Sequence, residues 1–204
     1  MANILRIDSS ARTEGSVSRE MTDHFIESWL KNHPSDAVTV RDLVKTPPPH
    51  ITEMTIGAFY TPEDQHIPEM TTAIALSDEL INELEAADIL VISAPMYNFS
   101  IPSSLKAYID QIVRIGRTFA MGDQGPQGLV GDKKVFILTA SGSVYSEGPL
   151  AAYNQLAPYM STVLGFLGMT DVTYISTEGT TSDPAILEKS ITASRDLIQT
   201  ITAA

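Results

Sequence analysis

Three stretches of this chain set ligand-binding residue types directly after an apolar run. The first, Asp8-Ser9-Ser10-Ala11-Arg12-Thr13-Glu14-Gly15-Ser16-Val17-Ser18, joins a strand to a helix and carries the hydroxyl residues Ser9, Ser10, Thr13, Ser16 and Ser18. Free N–H groups and the positive dipole end of a helix N-terminus bind anions, and Ser or Thr hydroxyls add donors, so this loop suits a phosphate. Ser16 or Ser18 would equally serve as a helix N-cap with no ligand present. The second stretch, Ala94-Pro95-Met96-Tyr97-Asn98-Phe99-Ser100-Ile101-Pro102, follows Ile89-Leu90-Val91-Ile92-Ser93. The third, Thr139-Ala140-Ser141-Gly142-Ser143-Val144-Tyr145, follows the strand Lys134 to Leu138, and Gly142 would let backbone approach a ligand closely. If the three loops share one rim of a sheet, they surround one flat molecule with a phosphate tail.

Other chemistries have no residues to carry them. No G-x-x-x-x-G-K-[ST] is present for a nucleoside triphosphate, and no G-x-G-x-x-G follows the first strand, which turns the reading toward a mononucleotide. The chain has no cysteine, so disulfides, thiolate metal sites and a cysteine nucleophile are excluded. His24, His33, His50 and His66 make no H-E-x-x-H or similar spacing, and no metal is expected.

Alternating strands and helices must position these loops. Ile4 to Asp8 reads as a strand, followed by a helix over about Ser16 to Lys31 with Val17, Met21, Phe25 and Trp29 at i+4 steps. Ala37 to Arg41 is a second strand, about Thr71 to Glu85 a helix, and Ile89 to Ser93 a buried third strand. Leu105, Tyr108, Ile109, Ile112 and Val113 form the stripe of a helix over about Pro102 to Ile115. Lys134 to Ala140 and Val172 to Thr177 complete five strands. Leu150 to Phe166 is expected as a helix interrupted by Pro158, and Pro184 to Ile201 as the last helix. The pattern predicts an α/β fold: a doubly wound five-stranded parallel sheet of order 2-1-3-4-5 with helices on both faces.

Two stretches break the rhythm. Leu43 to Met70 carries Pro47, Pro48, Pro49, Gly57, Pro62 and Pro68 and reads as a long connection. Phe119 to Gly131 is rich in glycine and reads as a turn-rich excursion or hairpin. Either is placed to overhang a site or a partner subunit, or to be plain surface.

With 204 residues, 43% apolar and 19% charged, the chain fits a single globular domain over 1–204. A net charge of −12 disfavours nucleic acid and anionic lipid as partners. No stretch approaches a membrane span, and Met1-Ala2-Asn3-Ile4-Leu5-Arg6 lacks a secretory signal, so a cytoplasmic location is expected.

Met96-Tyr97-Asn98-Phe99, with Ala94-Pro95 before it and Leu105-Lys106-x-Tyr108-x-Asp110 after it, resembles the flavin loop of bacterial FMN-dependent NADH-azoreductases, also described as FMN-dependent NADH:quinone oxidoreductases. The likeness extends through Thr39-Val40-Arg41-Asp42-Leu43, Ala75 to Ile81, Gly125-Pro126-x-Gly128-Leu129 and Tyr159 to Gly168. It implies a flavodoxin-like fold, a homodimer, non-covalently bound FMN, and NADH-driven reduction of quinones and azo compounds. Carried over, Ser10, Ser16, Val17 and Ser18 would hold the phosphate and ribityl end, and Met96, Tyr97, Asn98 and Phe99 would line the ring. Ala140, Ser141, Gly142 and Ser143 form the third contact. Here the chain departs from the family's commoner Ser-Arg-Gly-Gly, because Ser143 stands in a glycine place and the arginine is missing.

A flavin performs hydride and electron transfer itself, which accounts for a site with no evident catalytic triad. Phe99 and Phe119 are candidates to stack on flat substrates, with core packing as the alternative for each. A flavodoxin-type electron carrier and a general NAD(P)H:FMN reductase share the fold. The phosphate loop lacks the carrier's Thr-Gly-x-Thr pattern. A receiver-type signalling domain would need an acceptor Asp where Ser93-Ala94-Pro95 stands.

Overall fold

Alternation of side chains along three buried strands decides how this molecule is layered. In a computed structural model describing residues 1–203, β1 (Asn3–Asp8), β3 (Ile89–Pro95) and β6 (Lys134–Ala140) lie side by side and parallel. Leu5, Ile7, Leu90, Ile92, Val135 and Ile137 point to one face, while Ile4, Ile89, Val91, Phe136 and Leu138 point to the other. Both faces are apolar, so both must be covered. All seven residues of β3 are buried, as its run of β-branched and apolar types requires.

The flanking strands β2 (Ala37–Asp42) and β7 (Asp171–Thr177) complete the sheet in the order β2-β1-β3-β6-β7. This is the order 2-1-3-4-5 expected for the five main strands, with one small hairpin inserted after the third. Helices α1 (Val17–Asn32) and α6 (Pro184–Thr202) cover one face, where Met21, Phe25, Trp29 and Ile198 meet Phe136 and Ile175. Helices α3 (Pro68–Ala86), α4 (Ser103–Ile112) and α5 (Leu156–Phe166) cover the other through Leu80, Leu84, Leu105, Tyr108, Leu156 and Met160.

Several local expectations need correction. The stretch 43–70 is not an open connection: it holds α2 (Glu53–Tyr60) and a short 3-10 turn at Glu63–Gln65. Thr52 caps α2 by accepting from the Thr55 amide through its hydroxyl, and the Thr55 hydroxyl in turn accepts from the Thr52 amide. The helix α4 stops at Ile112 rather than Ile115, because the Thr118 hydroxyl donates to the Ile112 carbonyl at 2.6 Å and accepts from the Arg114 amide at 2.9 Å. Pro158 does not interrupt α5. It lies in the first turn, where no N–H is needed, and the expected helix is instead split upstream: Ala151–Tyr153 forms a 3-10 turn, and the Gln155 amide donates to the Phe99 carbonyl.

The glycine-rich excursion is a hairpin of β4 (Phe119–Gly122) and β5 (Gly125–Gly128). It lies against the end of α5: a Cβ added at Gly128 would overlap the backbone of Leu167 and Gly168. Only glycine permits that approach. No helix among the described residues is long and apolar enough to cross a membrane.

Candidate functional site

Parallel register brings four loops to one rim. Asp8 pairs with Ser93, Pro95 with Ala140, and Ala140 with Thr177, so the residues that follow each strand emerge together at the carboxyl edge. Between them lies a cleft of about 430 Å³, within the usual range for small-molecule sites. Its walls include Ser10, Arg12, Ser16, Ser18, Met96 and Tyr97, with Gly142, Thr180 and Thr181 opposite.

At one end the cleft meets the start of α1. Ser16 is the N-cap by position, but its side chain caps nothing; its hydroxyl donates to Ser10 Oγ at 2.8 Å. The first intrahelical bond runs from the Glu20 amide to the Ser16 carbonyl. The amides of Val17, Ser18 and Arg19 therefore donate to no protein group among the described residues. A buried chain of hydroxyls backs this terminus, from Ser93 to Ser18 at 3.0 Å, Ser18 to Ser16 at 3.4 Å and Ser16 to Ser10. Open amides, hydroxyls and the helix dipole together make an anion-binding end.

Charge behind the loop holds it still. Arg19 grips Asp42 with two bonds of 2.9 Å and donates to the Ser10 carbonyl at 3.0 Å, tying the helix start to the ends of two strands. Arg19 holds the Asp42 carboxyl down to about 2, assisted by the Val44 and Lys45 amides. Burial instead pushes the neighbouring Asp8 up, against the opposing pull of Arg6 and Arg19. These carboxylates occupy Arg6 and Arg19, leaving neither free for a ligand.

The loop after β3 supplies a wall. Tyr97 and Ser100 exchange backbone bonds of 2.9 and 3.1 Å around a two-residue turn in which Asn98 has φ 49° and Phe99 φ 73°. Positive φ at both central residues is the hairpin turn that normally takes Asn-Gly, so Phe99 sits where glycine is favoured. Strain of this kind collects at functional sites. The Asn98 and Phe99 amides stay unpaired among the described residues. The Tyr97 hydroxyl accepts from the Ala11 amide at 3.3 Å, joining this wall to the anion end.

Gly142 is closed over by the loop after β7. The Thr181 amide and hydroxyl both donate to its carbonyl, and a Cβ there would come 2.9 Å from Thr181 Oγ1. Its role is thus to admit Thr181. Glu178 anchors the rest of that rim, accepting from the Tyr145 amide at 2.6 Å and Ser146 Oγ at 2.5 Å. Phe99, 46% exposed, has its ring 5.5 Å from Tyr153 and 6.3 Å from Tyr145, an aromatic cluster beside the loop that carries Tyr97.

Of the residues expected at a site, Ser10, Ser16, Val17, Ser18, Met96, Tyr97, Ala140 and Gly142 line the cleft. Asn98 and Phe99 form the turn at its edge. Ser141 faces a small enclosed space behind Met96, and Ser143 is engaged through its carbonyl by the Ser141 hydroxyl. Phe119 is placed elsewhere: its ring packs on Phe166 at 4.8 Å and lines no part of the cleft. Sequence reading passed over Arg12 and Gly15, although both stand in the loop it selected, and missed Thr180 and Thr181, which are marked only by following the last strand of the sheet. A wider groove of about 630 Å³ opens at the opposite rim beside Trp29, His33 and Phe136, near the last turns of α1 and α6. Helix C-termini carry the wrong dipole for a phosphate.

Comparison with known proteins shows the family. A family model described as flavodoxin-like fold matches residues 2–201. An FMN-dependent NADH:quinone oxidoreductase of Hydrogenovibrio crunogenus is 47% identical over 199 residues, covering 98% of each chain. One from Nostoc sp. is 50% identical over 200 residues, covering 97% of each. The crystal structure of an azoreductase from Bacillus anthracis superposes with a TM-score of 0.92 at 32% identity, over 100% of this chain and 99% of that one.

Proposed function

The chain belongs to the flavodoxin-like fold family and to its FMN-dependent NADH:quinone oxidoreductases, and from that premise we propose that it uses NADH to reduce quinones and to cleave azo compounds reductively, as a single domain with FMN held non-covalently in the cleft described above. The observation that carries this reading is the uncapped start of α1: three open amides and a row of serine hydroxyls at one end of a cleft broad enough for a flat ring.

The residues fit such a group. Ser10, Ser16, Val17 and Ser18 would hold the phosphate and first ribityl carbons. Met96 and Tyr97 would flank the ring, with the open amides of Asn98 and Phe99 turned to its polar edge. Bound FMN supplies the acceptor and donor of the hydride and electrons. The protein's own work is to bind, orient and shield: the Arg19–Asp42 pair fixes the phosphate end, and the Tyr97–Ser100 turn fixes the ring end. The aromatic cluster of Phe99, Tyr145 and Tyr153 gives flat substrates a surface on which to lie.

The relatives' names do not favour a flavodoxin-type carrier or a general NAD(P)H:FMN reductase. The proposed assembly is a cytoplasmic homodimer, and exposed Ile51, Met54, Ile56, Tyr60 and Ile67 around α2 support an interface there. A visible spectrum of the purified protein tests the function. Flavin bands that bleach on anaerobic addition of NADH and return on addition of a quinone or an azo dye are expected. A colourless protein that ignores added FMN would overturn it.

A further inference from the structure

The cleft presents a charge problem. The chain carries −12, and a doubly charged phosphate approaching it meets a negative field that neutral hydroxyls and amides offset only in part. Arg6, Arg19, Arg41, Arg114 and Arg117 are all spent on Asp or Glu side chains. Arg12 is different: no Asp or Glu among the described residues lies within ion-pair distance of it, and it stands in the cleft wall beside Gly15 and Ser16. Every other side chain in that wall is neutral.

The backbone at this point is fixed. The Arg12 amide donates to Ser10 Oγ at 3.3 Å, the Ala11 amide donates to the Tyr97 hydroxyl, and Gly15, at φ 60°, turns the chain back into α1. The guanidinium therefore starts from an anchored position at the mouth of the anion-binding end.

We propose that Arg12 is the counter-charge for the cofactor's phosphate and is the residue by which this acidic protein selects FMN over riboflavin, the same ring and side chain without the phosphate. This rests on the FMN reading above. A guanidinium supplies both net charge and several N–H donors to phosphate oxygens, which neither the serines nor the helix start can do.

The experiment is fluorescence titration of the apoprotein with FMN and, separately, with riboflavin, for the wild type, Arg12→Gln and Arg12→Lys. Thermal unfolding of each apoprotein confirms that the exposed substitutions leave the fold intact. Arg12→Gln is expected to raise the FMN Kd about tenfold, at the low end of what hydrogen bonds to charged groups contribute, and to leave the riboflavin Kd within about twofold. Arg12→Lys restores most of the loss, and added salt narrows the gap between wild type and Arg12→Gln. Equal weakening of both flavins overturns the proposal, since Arg12 would then only shape the loop. So does an unchanged FMN Kd with a raised KM for NADH, which assigns the guanidinium to the dinucleotide. If the wild type binds neither flavin, the functional reading fails first and this proposal with it.

Discussion

The Ser16 hydroxyl points to Ser10 Oγ, 2.8 Å away, and leaves the first turn of α1 uncapped. An N-cap serine normally contributes about 1 kcal/mol through a side-chain bond to the first turn, and here that bond is not made. Ser16→Ala is therefore expected to cost the apoprotein only the Ser10 bond, about 0.5–1.5 kcal/mol, and Ser10→Ala, which removes the same bond without touching the helix start, should cost a similar amount. FMN affinity should fall severalfold. Urea unfolding of the apoprotein and flavin titration separate the two effects. A loss for Ser16→Ala well above that for Ser10→Ala would mean that the hydroxyl caps the helix after all.

The pair of Arg19 and Asp42 gives the acid limb of stability its sign. The Asp42 carboxyl is held at about 2, below the ordinary 3.8, by Arg19. A depressed carboxyl contributes stability that is complete above its unfolded value and is lost as the pH falls through the folded one. Removing one partner of a largely buried pair costs several kcal/mol at most. Asp42→Asn is expected to lose about 2 kcal/mol at pH 7, and the deficit should shrink between about pH 4 and pH 2 as the wild type loses its own pair. Asp8 runs the other way, because burial raises its pKa and its ionisation opposes folding as the pH rises. Asp8→Asn is the control, and its effect should not share that acid window. A pH-independent gap for Asp42→Asn would contradict the assignment.

Phe99 offers a test of backbone strain that is independent of its ring. At φ 73° it occupies a conformation costing an ordinary residue about 1 kcal/mol or more. Phe99→Ala and Phe99→Gly both remove the contacts with Tyr145 and Tyr153. At an ordinary position alanine is the more stable of the two. Here the glycine variant is expected to be more stable by about 1 kcal/mol, reversing the usual order. Paired thermal melts decide it. Both variants should also show a raised KM for aromatic acceptors.

Gly128 tests how the hairpin is held. A methyl group there would overlap the Leu167 and Gly168 backbone, which cannot rotate away as a side chain would. Gly128→Ala is expected to cost more than about 3 kcal/mol, the scale of severe overpacking. The loss would appear as a lowered Tm with little change in flavin affinity, since the hairpin lines no part of the cleft. A variant of normal stability would show that β4 and β5 do not lie as close to α5 as described.

What the sequence disclosed depended on how local the signal was. The five main strands and their order followed from runs such as Ile89 to Ser93 and from helical stripes such as Leu105 to Ile112, which are periodic and short-range. Helix α2 was hidden because its Thr52–Thr55 cap lacks the usual Glu or Gln and is surrounded by Pro47 to Pro49, Gly57 and Pro62. The end of α4 depends on Thr118, and the roles of Thr180 and Thr181 depend on Gly142, a contact between loops distant in the chain. The contact of the Phe119 ring with Phe166 joins a hairpin to the far end of α5, a pairing that no periodicity announces. Residues that meet only through the sheet's rim leave no mark in spacing.

The shape of the cleft leads to the kinetic order. Its anion end lies at the start of α1, Met96 and Tyr97 stand along its ring end, and the Phe99, Tyr145 and Tyr153 cluster sits beside the loop that carries Tyr97. NADH and a flat acceptor would lie on the same surface to reach the same ring, so each must leave before the other enters. Double-reciprocal plots of rate against NADH at several fixed quinone concentrations should therefore be parallel, and each substrate should inhibit competitively against the other at high concentration. Intersecting lines would require both substrates to be bound together. That result would demand a second substrate surface against the ring, and the groove beside Trp29 lies at the opposite rim of the sheet from Met96 and Tyr97.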